Sequence, residues 1–286
     1  MKIQIIKVPY DCGYRKQRQG LGPDHFLKHN IDRILETDGH QVKVSEIQSH
    51  SEFTIEVMTA FELNRLLADE VQRAIEKKIF PVVLSGNCNS CLGTIAGIGP
   101  DNLGVVWFDA HGEFNTPETT LSGFLDGMPI AMATGRCWKS VARTIPGFTP
   151  VAEKKFVLVG ARDLDAEEQR QLEQSEINLV RTMAGEENEI LREIEAALIH
   201  LQNRVTGIYL HIDMDAFDVG GGAANHYGAT GEMTPELMIK AIALVKDYIP
   251  VRGCAIASYD PAFDSDSRFL EAGILSIRQI VSVTSA

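Results

Sequence analysis

The chain has 286 residues, 44% hydrophobic and 23% charged, the composition of an ordinary globular protein with one sizeable core. A formal net charge of -12 argues against nucleic acid and anionic membrane as partners, since both repel an acidic surface. Five cysteines, an odd number scattered along the chain, form no disulfide framework and suit a reducing, cytoplasmic setting.

The opening run Met1 to Lys7 reads as a strand, too short and too polar for a secretory signal, and no apolar run approaches the ~18 residues of a membrane helix. Strand-like runs then fall at Ile3 to Val8, His40 to Ile47, Phe80 to Leu84, Leu103 to Phe108, Lys155 to Gly160, Glu176 to Val180, Gly207 to Ile212 and Val251 to Ala257. Helical patterns lie between them, at Phe61 to Lys77, Gly127 to Ala133, Ala166 to Gln174, Glu186 to Gln202 and Pro235 to Tyr248. In the first, Phe61, Leu63, Leu66, Leu67, Val71, Ala74 and Ile75 form one apolar stripe; the last is opened by Thr234, with Glu236 in its first turn. This alternation predicts an α/β fold with a parallel sheet covered on both faces. No linker or charge block divides the sequence, so residues 1–286 are expected to form a single domain.

Chemistry concentrates at two strand ends. After Leu103 to Phe108 comes Asp109-Ala110-His111-Gly112-Glu113, and continued alternation along an extended strand would turn Asp109, His111 and Glu113 to one side. After Gly207 to Leu210 comes His211-Ile212-Asp213-Met214-Asp215, a second such trio. A single Asp at a strand end usually caps a neighbouring helix, but two acidic trios stack like charges unless a cation neutralises them. Oxygen-rich ligation with a minority of imidazole suits Mn²⁺ better than zinc. Gly220 to Ala224, directly after the second trio, marks a loop where open parallel sheets bind ligands. Cys88 and Cys91 have the gap of redox or zinc motifs, yet no second pair accompanies them, so no structural zinc site is expected.

These residues resemble the arginase, agmatinase and formimidoylglutamase family of binuclear manganese hydrolases, the ureohydrolases. The matching blocks are Gly20 to Pro23, Ser85 to Cys88, Asp109 to Glu118, Ser122-Gly123 with Gly127-Met128-Pro129, Gly160 to Asp165, and His211 to Asp215. The resemblance implies a three-layer α/β/α sandwich on a mostly parallel eight-stranded sheet. It also implies two Mn²⁺ ions bridged by Asp109 and Asp213, with His111 and Asp215 on one ion and Glu113 and the residue at Cys88 on the other. A hydroxide between the ions, with Asp215 near it, would attack the central carbon of a guanidinium or amidine.

Departures fall at the chemistry. Cys88 stands where the family usually has His, Glu113 where it has Asp, Asp126 where it often has His, and Ser258 where a Glu commonly meets the guanidinium. Cys88 is either a thiolate ligand or a small neutral buried thiol. His211 either completes the metal set and the catalytic group or hydrogen-bonds a ligand from behind. Asp126 either pairs with the guanidinium or shuttles a proton, or is a solvated loop acid. A hydroxyarginine-hydrolysing branch of the family is similar in these details, with Cys in place of the first His, an aromatic at the position of Phe124, and His-Ile-Asp-x-Asp.

Substrate recognition follows the family more closely. The resemblance assigns Asn115 and Ser122 to an α-carboxylate and Asp165 and Glu168 to an α-ammonium; taken singly, Asp165 also fits a cap for the helix beginning at Ala166. The expected function is therefore metal-dependent hydrolysis of a C–N bond in a guanidino or amidino α-amino acid, arginine or an N-hydroxyarginine, by a homo-oligomer of three or six chains. Two alternatives stay open: a catalytically silent relative with a regulatory or scaffold role, and a single-metal hydrolase of another linear amidine.

Overall fold

Buried strands of a parallel sheet need apolar side chains on both faces, which is why they read as continuous hydrophobic runs. A computed structural model describes residues 1–51, 55–181, 187–231 and 233–284. Its strands are β1 (Lys2–Val8), a short antiparallel pair β2 (Tyr10–Asp11) and β3 (Tyr14–Arg15), then β4 (Gln41–Glu46), β5 (Phe80–Ser85), β6 (Leu103–Phe108), β7 (Phe156–Val159), β8 (Asn178–Val180), β9 (Gly207–Asp213) and β10 (Val251–Ala257). The α-helices are α1 (Gly22–Lys28), α2 (Ile31–Thr37), α3 (Glu56–Glu76), α4 (Cys91–Ile98), α5 (Pro129–Ala133), α6 (Lys139–Ala142), α7 (Ala166–Glu173), α8 (Glu187–Gln202), α9 (Pro235–Tyr248) and α10 (Arg268–Thr284).

The eight expected strands form one parallel sheet in the order β4-β1-β5-β10-β9-β6-β7-β8. Period-two alternation sorts their side chains between two apolar layers. Ile3, Ile5, Val82, Leu84, Val106, Phe108, Ile208, Leu210 and Ile212 face one layer, which α8, α9 and α10 cover. Ile6, Val8, Val83, Val105, Trp107 and Tyr209 face the other, under α3 and α4. Helix α9 begins as its sequence predicts, with the Thr234 hydroxyl accepting a hydrogen bond from Leu237 N at 3.2 Å. The start expected at Glu186 lies outside the described residues.

The structure adds helices that the pattern did not single out. All eight residues of α4 are apolar, Gly or Thr, and all but the last are buried, so no stripe marks the helix. Helix α10 takes its start from a distant cap, the Asp264 carboxylate accepting from Phe269 N and Leu270 N at 3.2 and 2.9 Å. Among the described residues no helix is long and apolar enough to cross a membrane.

Candidate metal centre and cavity

Four neighbouring strands, β5, β10, β9 and β6, deliver the expected site to one rim of the sheet. Phe108 is level with Ile212, and Ala257 with Asp213, so the residues that follow them emerge side by side, strands in such a sheet lying ~4.8 Å apart. Cys88 follows β5, Ser258 follows β10, Asp213 ends β9 and Asp109 follows β6.

The first trio converges, but by a different route from the one expected. Strand β6 stops at Phe108, and residues 109–115 form a loop rather than an extended strand. Asp109, fully buried, is fixed by Trp107 Nε1, which donates to Oδ2 at 2.8 Å, and by His111 N, which donates to Oδ1 at 2.8 Å. Glu113 adopts the left-handed region, φ 55°, and its carbonyl accepts from Ile130 N and Ala131 N at the start of α5, at 2.9 and 3.2 Å. Gly112 lets Glu168 come close, because a Cβ there would sit 2.6 Å from Glu168 Cδ and displace that side chain. The turn brings ligand atoms of Asp109, His111 and Glu113 within 4.8 Å of one another.

Asp213 and Asp215 face them from β9 and the turn after it. Asp213 Oδ1 accepts from Asp215 N at 2.8 Å, and Asp215 Oδ1 accepts from Ala110 N at 3.3 Å, which ties the two ligand segments together. His111 Nδ1 lies 3.4 Å from both Asp109 Oδ1 and Asp215 Oδ2. Asn225 donates to Asp215 Oδ2 at 3.2 Å and to the Ser258 carbonyl at 2.7 Å. Arg162 braces the turn from behind by donating to the carbonyls of Asp215, Ala229, Thr230 and Gly160 at 2.7–3.1 Å. Neither Asn225 nor the bracing by Arg162 was read from the sequence, since both partners are reached only through the fold.

Cys88 completes a second group, with Asp109 and Asp213, whose ligand atoms also lie within 4.8 Å of one another. Its thiol is surrounded: Sγ donates to Asp213 Oδ2 at 2.9 Å and lies 3.0 Å from His211 Nε2 and 3.4 Å from Ser258 Oγ. His211 is held in turn by the Tyr209 hydroxyl at Nδ1, 2.7 Å away, and by the Trp107 ring, stacked at 3.6 Å. It sits beneath the floor, fully buried and outside the cavity lining. Asp126 has both oxygens taken: Oδ2 accepts from Asn87 Nδ2 and Cys88 N at 2.8 and 2.9 Å, and Oδ1 from Asn89 N at 2.7 Å. It is buried rather than solvated, and it clamps the loop that carries Cys88.

The electrostatics call for cations. Burial pushes the carboxyls of Asp109, Glu113 and Asp213 above the usual range, and like-charged neighbours push them further. Burial opposes the charge of Asp215 too, but the His111 imidazolium and its hydrogen bonds hold it at about 2. Burial lowers His111, yet Asp215 and Asp109 outweigh it and raise the imidazole far above its ordinary value. Burial lowers His211 to about 3, outweighing the attraction of Asp215, and the ring stays neutral. Glu113 Oε2 is buried with no hydrogen-bond partner, an acceptor that the protein leaves for something else. Hard oxygens, one accessible imidazole and one thiol, with Asp109 common to both groups, fit a pair of adjoining divalent cations.

Above this floor opens a cavity of about 320 Å³ whose lining includes His111, Glu113, Asp213, Asp215, Asp126 and Ser258, together with Asn115, Ser122, Asp165 and Glu168. Asp165 stands at the N-cap position of α7 but makes no side-chain cap; its carboxylate accepts from Asn115 Nδ2 at 3.3 Å instead. Glu168 Oε1 accepts from Phe114 N at 2.9 Å, and burial raises its carboxyl to about 7. Ser122 lies on the exposed rim, where its hydroxyl accepts from Phe124 N at 3.2 Å. Ser258 is buried with φ 64°, a strained setting at the end of β10.

Comparison with known proteins agrees with this picture. The model of the Arginase family matches residues 1–281. An arginase of Bacillus subtilis (strain 168) is 30% identical over 226 residues, 76% of each chain, and an arginase of Staphylococcus aureus (strain MRSA252) is 28% identical over 286 residues, 95% of this chain and 94% of the relative. A crystal structure of the Bacillus subtilis arginase superposes with a TM-score of 0.85 at 26% identity, covering 98% of both chains.

Proposed function

The chain belongs to the arginase family of hydrolases, and from that premise we propose that it cleaves a C–N bond in a guanidino α-amino acid, arginine or N-hydroxyarginine, releasing urea or a hydroxylated urea. The observation that carries the reading is Asp109, one buried carboxylate shared by two groups of ligand side chains at the floor of an acidic cavity. Two Mn²⁺ ions are the cofactor in this reading: Asp109, His111 and Glu113, with Asp215 beside them, would hold one, and Cys88, Asp109 and Asp213 the other, Glu113 falling with His111 rather than with Cys88 as the resemblance implies. Bound there, the cations would neutralise the gathered acids and would lower the pKa of a water enough to supply a nucleophile at neutral pH.

The protein's own groups do the rest. Asp165 and Glu168 draw in the cationic amino group, while Asn115 and Ser122 offer an amide and a hydroxyl to the carboxylate. Held at its amino-acid end by these groups, the substrate lays its planar guanidinium over the floor beside Asp215, whose orientation Asn225 and Arg162 fix through hydrogen bonds. Asp126 and His211 act as positioning residues, holding the Cys88 loop and the Cys88 thiol respectively. One observation favours a rival, a hydrolase with a single ion: the Cys88 thiol is already bonded on several sides without any metal. Family resemblance supports a trimer or hexamer.

Urea release from arginine, N-hydroxyarginine and agmatine with added Mn²⁺, compared between the native chain and Asp213→Asn, tests the proposal. Release from an amino-acid substrate that the variant loses is expected. Equal turnover in both proteins would remove Asp213 from the chemistry and the reading with it.

A further inference from the structure

Two aromatic rings meet at the mouth of the cavity. Phe124 and Tyr227, from loops 103 residues apart in sequence, stack with ring centroids 5.2 Å apart and planes tilted by 26°, and both line the cavity. Phe124 offers no hydrogen-bonding group, so this strip differs in kind from the acids at Asp163, Asp165 and Glu168 that also line the site.

Each ring is tied to a ligand-bearing segment. Two residues after Phe124, Asp126 clamps the backbone of Cys88 and Asn89 at 2.9 and 2.7 Å. On the other side, Tyr227 N donates to Asn225 Oδ1 at 2.7 Å, and Asn225 Nδ2 reaches Asp215 Oδ2 at 3.2 Å. The stack therefore spans two loops whose feet are fixed at the floor, which sets the distance between the wall and the carboxylates below it. Rings held this way present a flat apolar surface at low entropic cost to whatever lies between mouth and floor.

Resting on the reading of the site as a guanidino amino acid hydrolase, we propose that the Phe124–Tyr227 stack is a specificity wall that grips the methylene stem of the substrate. The guanidinium descends to the floor, the amino group is met by Asp165 and Glu168, and the apolar stem between them is the part of the molecule that the aromatic pair matches. Polar ends alone would leave the stem against water; the wall takes it out of water. Burial of each methylene contributes about fourfold in affinity, so a three-methylene stem covered on one side contributes about tenfold.

The test is calorimetric binding of arginine, agmatine and methylguanidine to the Mn²⁺-loaded protein and to its Phe124→Ala, Phe124→Leu and Tyr227→Ala variants. Arginine and agmatine share the stem and differ in the carboxylate; methylguanidine has no stem. Both alanine variants are expected to weaken arginine and agmatine about tenfold and methylguanidine less than about twofold, and Phe124→Leu, which keeps an apolar face, to stay within about threefold of the native protein. Equal loss for all three probes, loss confined to arginine, no loss for any, or a native protein that binds none of them would each overturn the wall. Stem-dependent binding with no turnover would uphold the wall and count against the hydrolase reading.

Discussion

The two sides of the cavity floor are built from similar residues but left in different states. On the side of His111, Glu113 and Asp215 the groups face the cavity, a buried carboxylate oxygen of Glu113 has no partner, and an imidazolium is the cation among the acids. On the side of Cys88 and His211 the groups lie below the lining, and the thiol, both ring nitrogens and the nearer Asp213 oxygen are paired with one another or with Tyr209. One side keeps an acceptor without a donor; the other has its polar atoms paired. The same crowding of polar groups thus creates a demand for ligand where hydrogen bonds are missing and a rigid support where they are complete. Metal loading should follow that division, a tight step on the open side and a weaker one on the paired side.

The largest effect is expected from removing each side's key residue in turn. His111→Ala should weaken Mn²⁺ binding by at least about 100-fold, whereas Cys88→Ala should remove only the weaker of two binding steps and leave the tighter within about tenfold, both read by metal titration. Comparable loss of the tight step in the two variants would erase the contrast. In the metal-free protein, Cys88→Ala leaves His211 Nε2 and Asp213 Oδ2 without their partner and should cost about 1–3 kcal/mol in urea unfolding.

A cost of similar size, about 1–3 kcal/mol, is expected for Asp126→Asn, because an amide cannot accept from all three donors that now converge on the carboxylate. Unfolding in denaturant measures it. A variant of unchanged stability that loses only turnover would give Asp126 a chemical role instead of a positioning one.

The smallest effect is remote from both sides and calibrates them. Asp24 pairs with Lys7 and Lys16 at 2.5 and 2.8 Å. Burial works against its charge, but the two lysines prevail and hold its carboxyl below the ordinary value. A depressed folded pKa contributes stability above the unfolded pKa of about 4 and loses it as pH falls through the folded one. Asp24→Asn should therefore lower stability by about 0.2–1 kcal/mol at pH 7, with the gap from the native protein closing below about pH 4. A gap that persists into acid would assign the loss to packing rather than charge.

The sheet was legible because a parallel strand covered on both faces has no solvent side: runs such as Val105 to Phe108 and Ile208 to Ile212 stand out with little context. Helix α4 was not, for the same reason acting on a helix, since burial on nearly all sides removes the stripe that marks amphipathic segments. At the site, the acidic trios could be seen in sequence because repeated carboxylates are costly without a cation, but their path could not. The turn at Glu113 depends on α5 holding its carbonyl, and the close approach of Glu168 on the absence of a Cβ at residue 112. The clamp between Asp126 and Asn87, 39 residues apart, and the struts from Asn225 and Arg162 are long-range pairings that no local pattern encodes.

The central claim is that these acids are gathered to hold divalent cations, and metal content of the purified protein, reconstituted with Mn²⁺ at neutral pH and measured alongside Asp213→Asn, tests it most directly. Two Mn²⁺ per native chain, falling to one or none in the variant, is the predicted result. No bound metal in the native chain after reconstitution would contradict the account.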